Sequence, residues 1–171
     1  MRDEFIKAYD TYANAIFRHC YFRLFDRELA NDLVQETFIH TWRYIIAGKE
    51  IKNIRAFLYR VANNLVIDYS RKKKTVSLDR LQEKGYDPSL DVRDKIGWVI
   101  DAKSIVQNLV QLEEKYRDVI LMRYIDELSP KEIAEILQES ENAISVRIHR
   151  GVQKLKEVIG QHQEYGLSKA L

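Results

Sequence analysis

The chain has 171 residues, room for one ordinary domain or two small ones, and its 46% hydrophobic and 32% charged content is that of a folded chain and not of a disordered one. A net charge of +2 excludes a uniformly basic coat, so any anion-binding surface must come from local clusters. With six glycines, two prolines and abundant helix formers, an all-α fold is expected, and no stretch reaches the roughly 18 apolar residues that a membrane span requires.

From Phe5 to Phe25, the residues Phe5, Ile6, Tyr9, Tyr12, Ala13, Ile16, Phe17, Cys20, Tyr21 and Leu24 recur at spacings of three and four, which predicts a helix. Cys20 is the only cysteine, so no intrachain disulfide can form, and its aromatic surroundings suit a small buried residue better than a reactive thiol. Phe25-Asp26-Arg27 reads as a break with Asp26 as a cap. A second helix follows from Asp26 to Ile46, with Ala30, Leu33, Val34, Thr37, Phe38, Thr41 and Ile45 inward and Asp32, Gln35, Glu36 and Arg43 outward. Residues 47–53 contain Gly48 and two lysines and read as a loop. Asn53 can cap a third helix running from Ile54 to about Arg71, with Phe57, Leu58, Val61, Leu65 and Tyr69 as its buried stripe. Its basic end, Arg71 to Lys74, suits a helix C-terminus on dipole grounds alone.

Residues 75–94 lose the periodicity and hold Gly85 and Pro88, as a flexible linker would. Helical pattern returns at Ile96, continues through Ile105, Leu109 and Leu112, and carries on from Glu114 to Tyr124. The layout is two small helical domains, 1–75 and 96–171, joined by a linker at 76–95. The opening MRDEFIKAYD lacks the apolar core of a secretion signal, so the cytoplasm is the expected location.

The segment Ser129–Ile159 carries the clearest signal. Ser129, Pro130 and Glu132 form a capping box with proline at the first helical position, where its missing N–H costs nothing. Ile133, Ala134, Ile136 and Leu137 make a short apolar face of about two turns. Gln138-Glu139-Ser140 is the turn, with Ser140 able to cap the next helix. There Ile144, Ile148, Val152, Leu155 and Ile159 share one face, while Asn142, Val146, His149, Arg150 and Gln153 lie opposite and Ser145 and Arg147 sit on the shoulders. Arg147, Arg150, Lys154 and Lys156 fall between Asn142 and Lys156 with no acidic residue among them. A basic amphipathic helix can simply be wet on its charged face. The short capped helix, tight turn and acid-free second helix together point to a DNA-reading helix-turn-helix. Such a helix puts Arg within reach of guanine, Asn and Gln of adenine, and Ser, Lys and Arg of phosphate. The last residues, 161–171, are polar and expected to fray.

Four segments in order then resemble a bacterial RNA polymerase sigma factor of the extracytoplasmic-function (ECF) type, which has only the second and fourth sigma domains. They are Ala30 to Phe38 followed by Trp42; Arg55 to Leu65 followed by Ile67-Asp68-Tyr69 and Arg71-Lys72-Lys73; Tyr116 to Ile120 with Arg123-Tyr124; and Glu132-Ile133-Ala134, Ile144 and Arg147 to Arg150. The resemblance implies a non-enzymatic subunit that directs core polymerase to promoters. Asp32, Leu33, Gln35 and Glu36 would dock on the polymerase. Lys49, Lys52, Asn53, Arg55, Tyr59, Arg60, Asn63, Asn64, Arg71, Lys72 and Lys73 would open and read the minus-ten element. Asn142, Ser145, Val146, Arg147, His149, Arg150, Gln153 and Lys154 would read the minus-thirty-five element. Trapping unstacked bases calls for cations, planar surfaces and polar groups, which the minus-ten set supplies. Equally, Tyr59 can be core, and Asn63, Asn64 and the acidic face at Asp32 can be solvated surface. The resemblance also implies an anti-sigma partner.

The sequence departs from the family pattern in places. Gln138-Glu139 stands where a glycine and an apolar residue are usual, Glu113 where a proline is common, and Gly151 where an alanine is usual. Val146 is apolar where a polar reader is common and can meet a thymine methyl. A conventional helix-turn-helix regulator, acting without replacing a sigma factor, is the alternative, but it needs a sensing or dimerisation domain that the helical N-terminal half does not resemble. His19, His40, His149 and His162 are scattered with no metal-ligand spacing, and no glycine-rich phosphate loop occurs, so no cofactor or metal is expected.

Overall fold

The N-terminal aromatic stripe folds as α1 (Arg2–Leu24), and Phe25, at φ 50, turns the chain sharply into Asp26. Asp26 accepts a hydrogen bond from the Leu29 N–H and so caps α2 (Arg27–Ile46), a contact of the kind worth about 1 kcal/mol. Asn53 does the same for α3 (Ile54–Lys74), accepting from the Ala56 N–H at 3.1 Å. The structure, a computed structural model, describes residues 2–74 and 108–168, with side chains for 2–72 and 108–160, and contains no strand among them. The expected linker and residues 96–107 of the second domain lie outside the described residues.

Helices α1, α2 and α3 pack on one another as a three-helix unit around Ile16, Cys20, Tyr21, Leu33, Val34, Phe38, Leu58 and Val66. Cys20 is fully buried, and burial pushes its thiol up to about 12, so it is inert core as expected. Thr37 and Thr41 are also buried, each hydroxyl donating to the carbonyl four residues back.

The second unit opens with a helical turn at 108–110. The expected continuous helix through Leu112 into Glu114 is broken at 111–113: Gln111 and Leu112 close short turns, and Glu113, at ψ 138, is extended. A new helix, α4 (Glu114–Tyr124), starts there, which is the conformation a proline at this position would also adopt. Leu128 and Ser129 lead into α5 (Pro130–Leu137), the expected two-turn helix. Its capping box is complete: the Glu132 N–H donates to Ser129 Oγ at 3.2 Å and the Ser129 N–H to Glu132 Oε2 at 2.8 Å. Gln138, in the left-handed conformation (φ 57, ψ 42), ends α5, a position that glycine adopts most readily. Ser140 accepts from the Ala143 N–H at 3.2 Å and caps α6 (Glu141–Ser168). α6 runs on as helix to Ser168 instead of fraying from residue 161. Gly151 lets α6 approach α4 closely, since a Cβ built there would stand 3.2 Å from Ile120 Cγ1.

The two units also pack against each other, through α1 on α4 and α3 on α5. This second face of contact explains where the predicted stripes miss. On α3 the fully buried set is Ala56, Leu58, Tyr59, Ala62, Asn63 and Val66, whereas Phe57, Val61, Leu65 and Tyr69 are only half-buried. His19 of α1 is buried because a residue of the second unit, Asp126, covers it.

Candidate nucleic-acid and polymerase interfaces

α6 keeps Ile144 and Ile148 in the core and turns Asn142, Ser145, Val146, His149, Arg150 and Gln153 to solvent. Val146 is 42% exposed, the posture of a reader of apolar base edges. Two of the candidates on this helix are engaged elsewhere. Arg147 makes a two-pronged ion pair with Glu139 of the turn, and Lys154 reaches Glu113 at 3.3 Å beside the Tyr116 ring. His149 and Gln153 pair with each other at 3.2 Å, an exposed contact that water or a base can replace.

The loop at 47–53 borders a cleft of about 520 Å³ lined by Phe5, Ile45, Ile51 and Ile54 together with Lys49 and Lys52 and the carboxylates Glu4 and Glu50. That volume is large enough for a nucleobase, and its apolar walls offer a surface for stacking beside charges of both signs. Asn64, Arg71 and Lys72 are exposed along α3, Arg71 with Asp68 nearby at 3.4 Å, and the side chain of Lys73 lies outside the described residues.

Four of the minus-ten candidates are not on that open surface. Tyr59 is 1% exposed, its ring edge-on to His19 at 5.2 Å, and Asn63 is buried. Arg55 donates to Glu132 Oε1 at 3.0 Å and to the carbonyls of Asp126 and Glu127 at 3.1 and 3.2 Å. Arg60 donates to the Glu135 carbonyl at 2.9 Å. Burial works against the charged form of Glu132, yet the Ser129 N–H and hydroxyl, with Arg55, outweigh it and hold the carboxyl below its ordinary range. These side chains face the second unit, so core packing is the reading that holds for Tyr59 here.

On α2, Asp32, Gln35 and Glu36 are exposed on one face, and Glu36 lies 3.5 Å from His40. Leu33 is 5% exposed and belongs to the core, so it supports this face from beneath and does not present itself on it. Ile39, 48% exposed, occupies the same face one turn on. Sequence reading passed over it, although its absence from the inward stripe was the signal. Among the described residues, no group of His, Cys, Asp and Glu is placed to hold a metal ion.

Comparison with known proteins decides the family. Residues 8–76 match the model of Sigma-70 region 2 and residues 103–155 that of Sigma-70, region 4. Over 166 residues the chain is 34% identical to the ECF RNA polymerase sigma factor SigW of Bacillus subtilis, covering 91% of this chain and 88% of that one. The chain belongs to the ECF sigma factors. It is also 30% identical to SigM of Bacillus subtilis, over 86% of this chain and 90% of that one. In fold it resembles the sigma factor RpoE of Bartonella quintana, solved in complex with the anti-sigma factor NepR: TM-score 0.71, 19% identity, 92% of this chain and 97% of that one. As an ECF sigma factor it directs core RNA polymerase to promoter DNA and starts transcription, and the family's members are initiation factors. No helix among the described residues is long and apolar enough to cross a membrane.

The two matched regions coincide with the two helical units. The residues of this ECF sigma factor that sequence reasoning missed are those of the junction between them: His19, Arg23, Asp118 and Asp126. No local pattern marks such residues, because their partners lie about a hundred positions away.

Proposed function

We propose that this sigma factor divides promoter recognition between its units, residues 1–75 docking on core polymerase and opening the minus-ten element and residues 96–171 reading the minus-thirty-five element across the linker at 76–95. The observation that carries this reading is α6. Its apolar stripe is locked into α4 and α5 while Asn142, Ser145, Val146, His149 and Arg150 are exposed on the opposite side, the arrangement in which a helix can enter a major groove.

Arg150, exposed on this face, is assigned to a base edge or phosphate, with Asn142 and Gln153 on adenine-type edges. Ser145 and Lys154 are assigned to phosphate, Lys154 after exchanging Glu113 for DNA, and Arg147 joins them once released from Glu139. The cleft at Lys49 and Lys52, capped by the helix start at Asn53, is assigned to a base flipped from the opened strand, and Asn64, Arg71, Lys72 and Lys73 to the strand on either side. Opening is driven by binding energy for the separated strand and not by catalysis. Asp32, Gln35, Glu36 and Ile39 form the polymerase-docking face, and Leu33 holds that face in place. An anti-sigma factor of the kind bound to the Bartonella protein is a further expected partner, and the cytoplasm the site of action.

Run-off transcription with purified core polymerase over a genomic promoter library tests the reading. Promoter-dependent product is expected from the native chain. Arg150→Ala should lose the minus-thirty-five preference, and Lys49→Ala/Lys52→Ala the opening step, while both still bind core. Product independent of both substitutions would remove these assignments.

A further inference from the structure

α6 carries no acid between Asn142 and Lys156, yet two of its cations are paired with carboxylates delivered from outside the helix. Glu139, in the turn before α6, takes the Arg147 guanidinium with both oxygens, Nη1 lying 3.0 Å from Oε1 and Nη2 meeting Oε2. Glu113, at the start of α4, reaches Lys154 Nζ with Oε1 at 3.3 Å and Lys115 Nζ with Oε2 at 2.9 Å. Both ammonium groups also lie over the Tyr116 ring, Lys115 at 5.0 Å and Lys154 at 5.3 Å from its centre. Hydrogen bonds from Lys115 and Lys154 hold the Glu113 carboxyl below its ordinary range, so it is an anion at neutral pH.

Position decides what these pairs do. Arg147 and Lys154 are two turns apart and lie along one edge of α6, about 10 Å from each other. Arg150, Val146 and Gln153 fall about 60–120° further round, opposite the apolar stripe. A helix seated in the major groove meets base edges with that outer centre and the sugar-phosphate walls with its edges. The two carboxylates therefore sit at the phosphate edge, and Arg150 takes part in neither pair. A carboxylate that grips a guanidinium with both oxygens makes the contact a phosphate would make. A cation already paired in this way exchanges one anion for another on meeting DNA, so it adds little to sequence-independent binding. The pairs are open to such exchange. The Arg147 and Glu139 side chains are 26% and 35% accessible and those of Lys154 and Glu113 44% and 53%, the exposure at which ion pairs are weak and screened by salt.

We propose that Glu113 and Glu139 are specificity-determining residues: they stand in for phosphate on the edge cations of α6 and suppress its hold on duplex of the wrong sequence, leaving Arg150 and its neighbours to select the minus-thirty-five element. The inference rests on the assignment of α6 to that element, and the test separates the two.

Holoenzyme assembled from core polymerase and the full chain is titrated onto two fluorescent duplexes that lack a minus-ten element. One carries the minus-thirty-five element of a promoter recovered from the run-off library, and in the other that element is scrambled. Glu113→Gln/Glu139→Gln is the unmasked variant. Both residues are exposed and Glu113 makes no capping bond through its side chain, so helical circular dichroism and core binding should be unchanged. The variant should bind the scrambled duplex at least about fivefold tighter than the native chain and the element-bearing duplex by a smaller factor, so that the preference for the element falls. On scrambled duplex, the slope of log affinity against log salt concentration should steepen by about 1–2, the mark of up to two further phosphate contacts. Glu139→Gln alone should steepen it by about 1, and is the variant to read if the double one loses helix. Adding Arg147→Gln/Lys154→Gln to the unmasked variant should abolish the gain. Unchanged affinity and slope on scrambled duplex overturn the mask, as does a gain that survives the loss of both cations, which is repulsion at a distance and not pairing. Weaker binding of the element-bearing duplex with no gain on the scrambled one makes the carboxylates positioning residues for Arg147 and Lys154, and likewise overturns it. Arg150→Ala should erase the preference for the element; if it does not while the unmasked variant still gains on scrambled duplex, the mask stands and the minus-thirty-five assignment falls.

Discussion

Gln138 is the one residue of the helix-turn-helix held in a conformation its side chain opposes. A left-handed residue with a Cβ is disfavoured by about 1–2 kcal/mol, part of which glycine gives back as lost chain entropy. Gln138→Gly should therefore stabilise the protein by about 1 kcal/mol, read as a rise of about 2–4 °C in Tm. His19 makes the opposite kind of prediction. Burial holds its imidazole below the ordinary histidine range, with Arg23 adding to the effect and Asp126 opposing it. The charged and titratable groups around it are Arg23 on its own helix, Tyr59 from α3, Asp118 from α4 and Asp126 just beyond α4. The closed junction thus binds fewer protons at this site than the open one. Its contribution is complete above the open-state value of about 6.5 and declines as pH falls from there towards the lower closed-state value. The Tm of the native chain should fall on going from about pH 7.5 to about pH 5.5, and His19→Asn, which keeps a donor facing Asp126 but does not titrate, should flatten the profile.

At the scale of elements, α6 and α2 each carry a test. Gly151 accepts the close approach of α4, and a branched side chain there must displace the Ile120 side chain. Gly151→Val should cost about 1–3 kcal/mol in denaturant unfolding, more than the loss from helix propensity alone would suggest. On α2, Ile39→Arg should weaken core-polymerase binding at least tenfold in a pull-down titration, about 1.4 kcal/mol, with no change in circular dichroism, because Ile39 is exposed and holds nothing up. The helices themselves were legible in the sequence. The three-four spacing placed four of the six within a few residues, and Asp26, Asn53, Ser129 and Ser140 cap where the sequence said they would. The inward faces were less legible. A periodicity reading finds one stripe per helix, and α1 and α3 are each covered from two sides, so Tyr59, left open between core and surface, is buried, and Asn63 is buried against expectation. The interruption at 111–113 was hidden because Leu109, Leu112 and Tyr116 keep helical spacing across a break made by the backbone at Glu113.

For the whole molecule, the sequence told of two domains and a tether but not of their embrace, since the forces that close it are single charged residues far apart in the chain. If the units are held together, the native protein should melt in one transition, and the Glu132→Gln/Glu135→Arg variant in two, by differential scanning calorimetry. The direction of release is already written into Glu132. That carboxylate belongs first to its own helix, where Ser129 holds it through both N–H and hydroxyl, and only second to Arg55. When the junction separates, Glu132 keeps its partners and loses little. Arg55 loses all of the acceptors it had on the other unit. The guanidinium departs in want of an anion.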